Sequence, residues 1–274
     1  MTSVSTPVRD LERRRTFLAG PILDALAVTQ RNLIAYKRVP QLVVFSTIQP
    51  VIFVLMFRFV FGGAIKVPGG RYVDFLMPGI FVQTTVFGSI GTAIGLATDM
   101  KSGLLERFRS LPMARSAVLA GRTLSDLTRN LFVAILMAVV GFAVGFRIHT
   151  NVVEFVVGIG IVILFGYTFS WVFATVGLAV GDPETAQAAA FPVMAPLVFA
   201  SSAFVPVSSM PGWLQAFAAH QPVSVTASAV RSLMCGDACR AGSAVTNSFQ
   251  AVAWCIGILV LFAPLAVRRY RNAI

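Results

Sequence analysis

Charged side chains are scarce in this sequence. Asp, Glu, Lys and Arg make up 12% of the 274 residues, whereas a soluble domain carries about 25%. Hydrophobic residues reach 57%, and they come in uninterrupted runs of about 20, the length that a helix needs to cross a bilayer. The composition therefore excludes an ordinary soluble domain and indicates a protein whose solvent is lipid.

Catalytic and cofactor motifs are also lacking. The sequence has three lysines, Lys37, Lys66 and Lys101, and none follows a glycine, so it contains no P-loop for ATP. The two histidines, His149 and His220, are far apart and stand in no cluster with metal-ligand spacing. We expect no metal site, no cofactor bound by this chain and no enzymatic activity of its own.

Six long stretches contain no charged residue. Each is able to cross the bilayer as a helix, which satisfies its own backbone hydrogen bonds. The sequence therefore predicts an all-α integral membrane protein with six transmembrane helices, the fifth kinked by Pro192 and Pro196. The stretches are Val39–Phe57, Phe75–Ala97, Asn130–Phe146, Phe155–Gly181, Thr185–Val207 and Thr246–Val267.

The basic residues between these stretches predict the orientation. Fifteen Lys and Arg residues fall on the side that holds both termini, and five fall on the other side, where Arg231 and Arg240 are counted. Because cytoplasmic segments carry the excess of basic residues, we expect both termini in the cytoplasm and the chain in the inner (plasma) membrane. No signal peptide is recognisable, so we expect the first span to direct insertion.

The segment before the first span has an amphipathic pattern. In Gly20–Arg38 the apolar residues recur at helical spacing, with basic residues on the opposite face. This pattern is typical of a helix at the inner membrane surface. The alternative is a soluble helix packed on a loop. We therefore divide the chain into residues 1–38, a cytoplasmic tail with this interfacial helix, and residues 39–274, a single membrane domain.

Carboxylates are predicted to be absent from the depth of the spans. Proton-coupled transporters generally need such groups as a relay. Asp99, Asp126, Glu154, Asp182 and Glu184 are all expected at span ends or in loops. This distribution argues against transport driven by protons and favours a partner that supplies the energy.

The cysteines leave two readings open. Cys235 and Cys239 are four residues apart in the last outer segment, so their side chains would face the same way on a helical turn. In an oxidising compartment this spacing is compatible with a disulfide, and equally with two free thiols.

The inner loop between spans two and three contains a short amphipathic segment. Gly103 is placed to start a helix and Pro112 to end it, with Leu105, Phe108 and Leu111 on an apolar stripe. Its charged side could dock onto a cytoplasmic protein. The alternative is a surface helix that merely marks the cytoplasmic side.

An ordered series of motifs resembles the ABC-2 type transporter permeases, and within them the daunorubicin/doxorubicin resistance subgroup. The resemblance extends over nearly the whole chain from Leu42 onward, and Gln221 departs from the Asn usual in that subgroup. The motifs are Phe75–Gly79, Gly95–Asp99, Glu106–Pro112, Gly121-Arg122, Gly181–Glu184, Ser201–Val207, Met210–Gln215 and Gln221-Pro222.

The resemblance implies a permease without a nucleotide-binding domain. Two permease subunits, identical or related, would pair with two copies of a separate ATPase that binds ATP and Mg, and substrate would pass between the permeases. Short helices between spans five and six would re-enter from the outer side as a gate, with Pro206, Pro211, Trp213 and Pro222. The inner loop would be the ATPase-coupling element, formed by Gly103, Leu105, Glu106, Arg107, Phe108, Arg109, Leu111 and Pro112.

The predicted function is therefore export of an amphipathic compound, drug-like or lipid-like. The alternatives are a membrane scaffold or assembly factor without transport activity, and export of a lipid or saccharide rather than a drug. Nucleic acid is not an expected partner. The polar and aromatic residues of the first two spans are the candidates for lining the substrate pathway: Gln49, Phe53, Gln83, Thr84, Phe87 and Ser89.

Overall fold

The computed structural model describes residues 26, 28–30, 34, 40–65, 67, 70–104, 115–239 and 241–272. The side chains of residues 40–46, 115–118 and 272 are outside this description. Throughout the described ranges the regular structure is helical, without strands. The prediction of an all-α membrane protein is confirmed for this part of the chain.

Eight α-helices follow one another in these ranges. Helix α1 continues into a π-helical turn at Met56–Phe61, and short 3-10 turns occur at Val207–Ser209 and Gly236–Cys239. The helices are α1, Pro40–Leu55; α2, Tyr72–Lys101; α3, Arg115–Ala143; α4, Val152–Val180; α5, Pro183–Phe199; α6, Gly212–His220; α7, Pro222–Cys235; and α8, Ala244–Asn272.

Within the described ranges, four helices are long and apolar enough to cross a membrane. They are Tyr72–Lys101, Leu119–Ala143, Val152–Val180 and Ala244–Arg271, which overlap the second, third, fourth and sixth predicted spans. Helices α1 and α5 occupy the first and fifth predicted stretches but have 16 and 17 residues. Since about 20 residues cross the hydrocarbon core, the count of six crossings stays a prediction.

Helix α3 starts much earlier than the sequence predicted. It begins at Arg115, so Arg122, Asp126 and Arg129 all lie within the helix and within its apolar candidate span. The expectation that Asp126 stands at a span end was wrong. Counting only charge-free residues makes this helix look too short. Its charged side chains lie inside the helix because they pair with one another and with backbone carbonyls of a neighbouring helix.

Close packing of α2 against α4 forms the centre of the molecule. Of the residues in the most apolar part of α2, 67% are buried, compared with 17% in α8. At Gly177 of α4 an added Cβ would overlap the carbonyl oxygen of Ala93 in α2. The two helix backbones therefore touch, as they do where small residues line helix interfaces in membranes.

The connection between α4 and α5 is a tight, well-capped turn. Helix α4 ends at Gly181, whose φ of +73° suits glycine, and the Gly181 N–H donates to the carbonyl of Gly177 at 3.0 Å. Asp182 then caps α5 by accepting the Thr185 N–H at 3.1 Å, with Pro183 in the first turn. The motif Gly181–Glu184 thus has a structural reason for each of its first three residues.

Arg231 is buried in α7, although the charge count placed it in an outer loop. Its side chain donates from Nε to the Phe75 carbonyl at 3.1 Å and from Nη2 to the Ser202 carbonyl at 2.9 Å. The guanidinium carbon lies 3.7 Å from the centroid of the Phe75 ring. These contacts replace water, so Arg231 joins α2, α7 and the segment after α5 and does not report on topology.

Asp74, a carboxylate in the first turn of α2, was not anticipated from the sequence as a buried charge, yet it is 2% exposed. It accepts hydrogen bonds from Arg71 Nε and from the Arg147 backbone N–H, both at 3.1 Å. His149 Nε2 lies 3.1 Å from Oδ2 of the same carboxylate. Asp74 thus joins the start of α2 to the connection between α3 and α4.

Candidate functional site

A cavity of about 580 Å³ lies between α1, α2, α3 and α5. Much of its wall is apolar, with Phe87, Ile90 and Ile94 from α2 facing Phe191 from α5. Polar groups enter from all four helices. The other lining residues are Gln49, Pro50, Thr84, Gly88, Gly91, Arg129, Asn130, Val133, Gln187 and Ala188.

Three of the six predicted pathway residues line this cavity, namely Gln49, Thr84 and Phe87. The other three do not. Phe53 packs on Phe57 and Phe204, with ring centroids 6.0 and 5.9 Å away. Gln83 is 2% exposed, and Ser89, fully buried, donates to the carbonyls of Thr85 and Gly166 at 2.8 and 3.1 Å. A pathway role stays a prediction for all six.

A charged row on α3 consists of Arg122, Asp126 and Arg129, and Arg129 is its member that lines the cavity. Because these residues are spaced by four and three positions, they lie on one face of the helix. Asp126 Oδ1 is 3.8 Å from Arg129 Nη1, and its Oδ2 accepts the Thr92 hydroxyl of α2 at 2.5 Å. Asp126 is fully buried, so this carboxylate lies behind the cavity wall.

The two arginines rest on a glycine stripe of α2, formed by Gly88, Gly91 and Gly95. Arg122 Nη2 donates to the Gly91 carbonyl at 3.0 Å, and Arg129 Nη2 donates to the Gly88 carbonyl. A Cβ at Gly91 would come within 2.7 Å of Arg129 Nη1, and one at Gly95 would overlap the Arg122 guanidinium. The stripe therefore provides both the space and the acceptors for the two arginines.

Sequence reasoning missed the packing of the charged row on α3 against the glycine stripe of α2. The glycines are spaced by three and four residues on α2, and the charged row by four and three on α3. Complementary stripes of this kind predict that two helices lie side by side. The matching spacing was visible in the sequence. However, the third span was predicted to start at Asn130, which left the charged row outside the predicted span.

An exposed ion pair joins the end of α2 to the turn between α4 and α5. Lys101 Nζ donates to Asp182 Oδ1 at 2.7 Å. The hydrogen bond from Lys101, together with those from Thr185, lowers the pKa of Asp182 to about 2. The carboxylate therefore stays ionised at any physiological pH.

The predicted coupling element begins just after this pair. Gly103 has a φ of +69° directly after α2, and Leu104 is helical again, so Gly103 separates the long helix from the loop segment. The other residues of the predicted element lie outside the described residues, namely Leu105, Glu106, Arg107, Phe108, Arg109, Leu111 and Pro112.

The predicted interfacial helix Gly20–Arg38 is described in part. Residues 26, 28–30 and 34 are helical, and the Thr29 hydroxyl donates to the Gly121 carbonyl of α3 at 3.0 Å.

The residues predicted for the outer gate lie around α6 and α7. Pro206 is buried and accepts the Ser209 N–H at 3.0 Å, whereas Pro211 and Trp213 are exposed, Trp213 by 79%. Pro222 opens α7. Short helices thus follow α5, as predicted; their re-entry into the membrane stays a prediction.

Cys235 and Cys239 are buried as free thiols in the structure, and the Cys235 thiol donates to the Asp74 carbonyl at 3.0 Å. Their pairing as a disulfide stays a prediction.

Comparison with known proteins decides the family. Residues 24–235 match the ABC-2 type transporter family. The chain belongs to this family. Its relatives include a daunorubicin resistance ABC transporter permease protein of Streptomyces coeruleorubidus, 35% identical over 242 residues that cover 88% of this chain and 84% of the relative.

Two further relatives widen the range of sources. A probable doxorubicin resistance ABC transporter permease protein of Mycobacterium tuberculosis is 28% identical, covering 98% of this chain and 99% of its own length. A putative transport permease of Cyanophora paradoxa is 26% identical, over 77% of this chain and 74% of the relative. The resemblance drawn from the sequence is confirmed. This chain is therefore a multi-pass membrane protein of a transport family.

Proposed function

We propose that this chain is the transmembrane permease subunit of an ATP-binding cassette exporter that moves an amphipathic compound out of the cell. The observation that carries the proposal is a cavity with both apolar and cationic walls in a chain of the ABC-2 family. A ligand site of a few hundred cubic ångströms with few polar groups suits a small amphipathic molecule. A membrane scaffold would need no such cavity.

A separate ATPase supplies the energy in this proposal and binds ATP and Mg. The permease works as a pair of subunits, and the segment after Gly103 docks on the ATPase. Asp74 and Asp126 are both buried, so a lack of buried carboxylates does not argue against proton coupling. Membership of the family and the ion pair that each carboxylate forms with an arginine favour ATP as the energy source.

The proposal is tested by accumulation of a fluorescent amphipathic drug in cells. Cells that express the permease together with its partner ATPase should accumulate less drug than cells with either protein alone. A scaffold would leave accumulation unchanged in all three strains. Equal accumulation at verified expression of both proteins would contradict the proposed function.

The proposed topology has six spans with both termini in the cytoplasm. We expect an impermeant maleimide to label Gly63→Cys and Ser243→Cys in intact cells, and Ser102→Cys only after permeabilisation. All three positions are exposed, and no atom would meet a Cβ at Gly63 within 4 Å. The background lacks the native cysteines Cys235, Cys239 and Cys255. Labelling of Ser102→Cys in intact cells would overturn the orientation.

A further inference from the structure

The cavity presents a positive charge to a ligand. Arg129 lines the cavity, whereas Asp126, its ion-pair partner 3.8 Å away, is fully buried and is not among the described lining residues. A cleft lined by charge of one sign attracts ligands of the opposite sign. The wall therefore favours a negatively charged ligand.

Among the described residues, Arg129 is the charged side chain that lines the cavity. Its side chain is 11% exposed, and within the described part of the chain it donates to Gly88 and to the Asn130 amide oxygen, both through Nη2. A guanidinium has five N–H donors in a fixed plane. These two bonds use Nη2, so the Nε and Nη1 donors of Arg129 remain for the oxygens of a carboxylate or phosphate.

The rest of the wall is suited to a hydrocarbon or aromatic body. Phe87, Ile90, Ile94 and Phe191 line it, and the uncharged amides of Gln49 and Gln187 lie on α1 and α5. No carboxylate lines the cavity within the described residues. Among these described residues a cationic ligand would meet the positive charge of Arg129 without a carboxylate to pair with.

We propose that this cavity binds an exported anionic amphiphile, with Arg129 contacting its carboxylate or phosphate. The inference rests on the proposed function, because it names the class of compound that is exported. It makes Arg129 a substrate-binding residue, and Asp126 a positioning residue that holds the guanidinium from behind.

The test is a binding measurement that needs no ATPase. The permease is reconstituted in phosphatidylcholine nanodiscs and titrated with dansylated undecanoic acid, with the methyl ester of the same molecule as the uncharged control. We expect the acid to bind about tenfold or more tightly than the ester, because a hydrogen bond to a charged group contributes that much. Equal affinity for acid and ester would overturn the proposal.

Matched variants locate the binding site. Arg129→Gln should remove the preference for the acid, and Arg129→Lys should retain part of it. Arg268→Gln makes the same charge change at the exposed end of α8 and should leave the preference intact.

If Arg129→Gln fails to fold, the cavity-filling variant Ala188→Trp tests the site instead. It fills the cavity and should abolish binding of the acid, whereas Val193→Trp, exposed on the same helix and outside the cavity, should not. Normal binding of the acid by Ala188→Trp would contradict the site.

Two further outcomes separate related ideas. If phosphatidylglycerol in the nanodisc displaces the acid from the cavity, the occupant is an anionic bilayer lipid and the assignment to an exported compound is wrong. If ATP-dependent export is measured but acid and ester bind alike, this inference fails and the proposed function stands. If the permease prefers the acid but exports nothing, the proposed function fails and the anion-binding site stands.

Discussion

Replacing Gly177 with valine should destabilise the folded permease by about 3 kcal/mol or more. A Cβ at this position would overlap the carbonyl oxygen of Ala93, and backbone atoms of the two central helices cannot move aside as a side-chain tip can. Overpacking of a close-packed interior costs about 1–3 kcal/mol even when side chains give way. Thermal unfolding of the detergent-solubilised protein, followed by size-exclusion of a fluorescent fusion, measures the loss.

Gly160 provides the matched control for this change. It lies on the same helix, α4, is exposed, and has no atom within 4 Å of an added Cβ. Gly160→Val should therefore keep the wild-type unfolding temperature to within a few degrees. Similar unfolding temperatures for Gly177→Val and Gly160→Val would mean that the contact between α2 and α4 is not as close as the structure has it.

The second large effect is expected at Phe108. If the segment after Gly103 docks on the ATPase, Phe108→Ala should weaken the complex about thirtyfold, because an aromatic anchor in a pocket contributes about 2 kcal/mol or more. Reversal of Glu106 or Arg107 should act less, since exposed ion pairs contribute under about 1 kcal/mol. The amount of ATPase that copurifies with the permease, measured against its concentration, gives the affinity.

The control for Phe108→Ala addresses packing within the permease. Phe249→Ala removes an aromatic ring that is 75% exposed on α8 and should leave ATPase binding unchanged. The thermal stability of both variants is measured in parallel. If Phe108→Ala lowers the unfolding temperature but binds the ATPase normally, the ring packs on the permease itself and the coupling assignment is wrong.

Long apolar runs were enough to predict the class of the protein and four of its long helices, because membrane spans are identified by length and hydropathy alone. The start of α3 could not be predicted in this way. Arg122, Asp126 and Arg129 look like loop residues in a hydropathy count, yet their charges are satisfied by one another, by Thr92 and by carbonyls of α2. A buried charge needs partners on a neighbouring helix, and a single sequence does not show which helices are neighbours.

The candidate site was predicted only in part for the same reason. Gln49, Thr84 and Phe87 were found because polar and aromatic residues in a span are unusual, and they lie around one cavity. Gln83 and Ser89 have the same chemistry but are turned into the helix packing of α2. The side of α2 that faces the cavity is decided by how α2 packs against α4 and α3, so rotation about the helix axis separates the two groups.

The central claim, a permease driven by a separate ATPase, is tested most directly in proteoliposomes that contain both purified proteins. With ATP and Mg present and no pH gradient, a fluorescent amphipathic substrate should move across the membrane, and it should not move when the ATPase carries an inactivating substitution in its P-loop lysine. A pH gradient imposed without ATP should give no transport. Transport by the permease alone, driven by that pH gradient, would contradict the account.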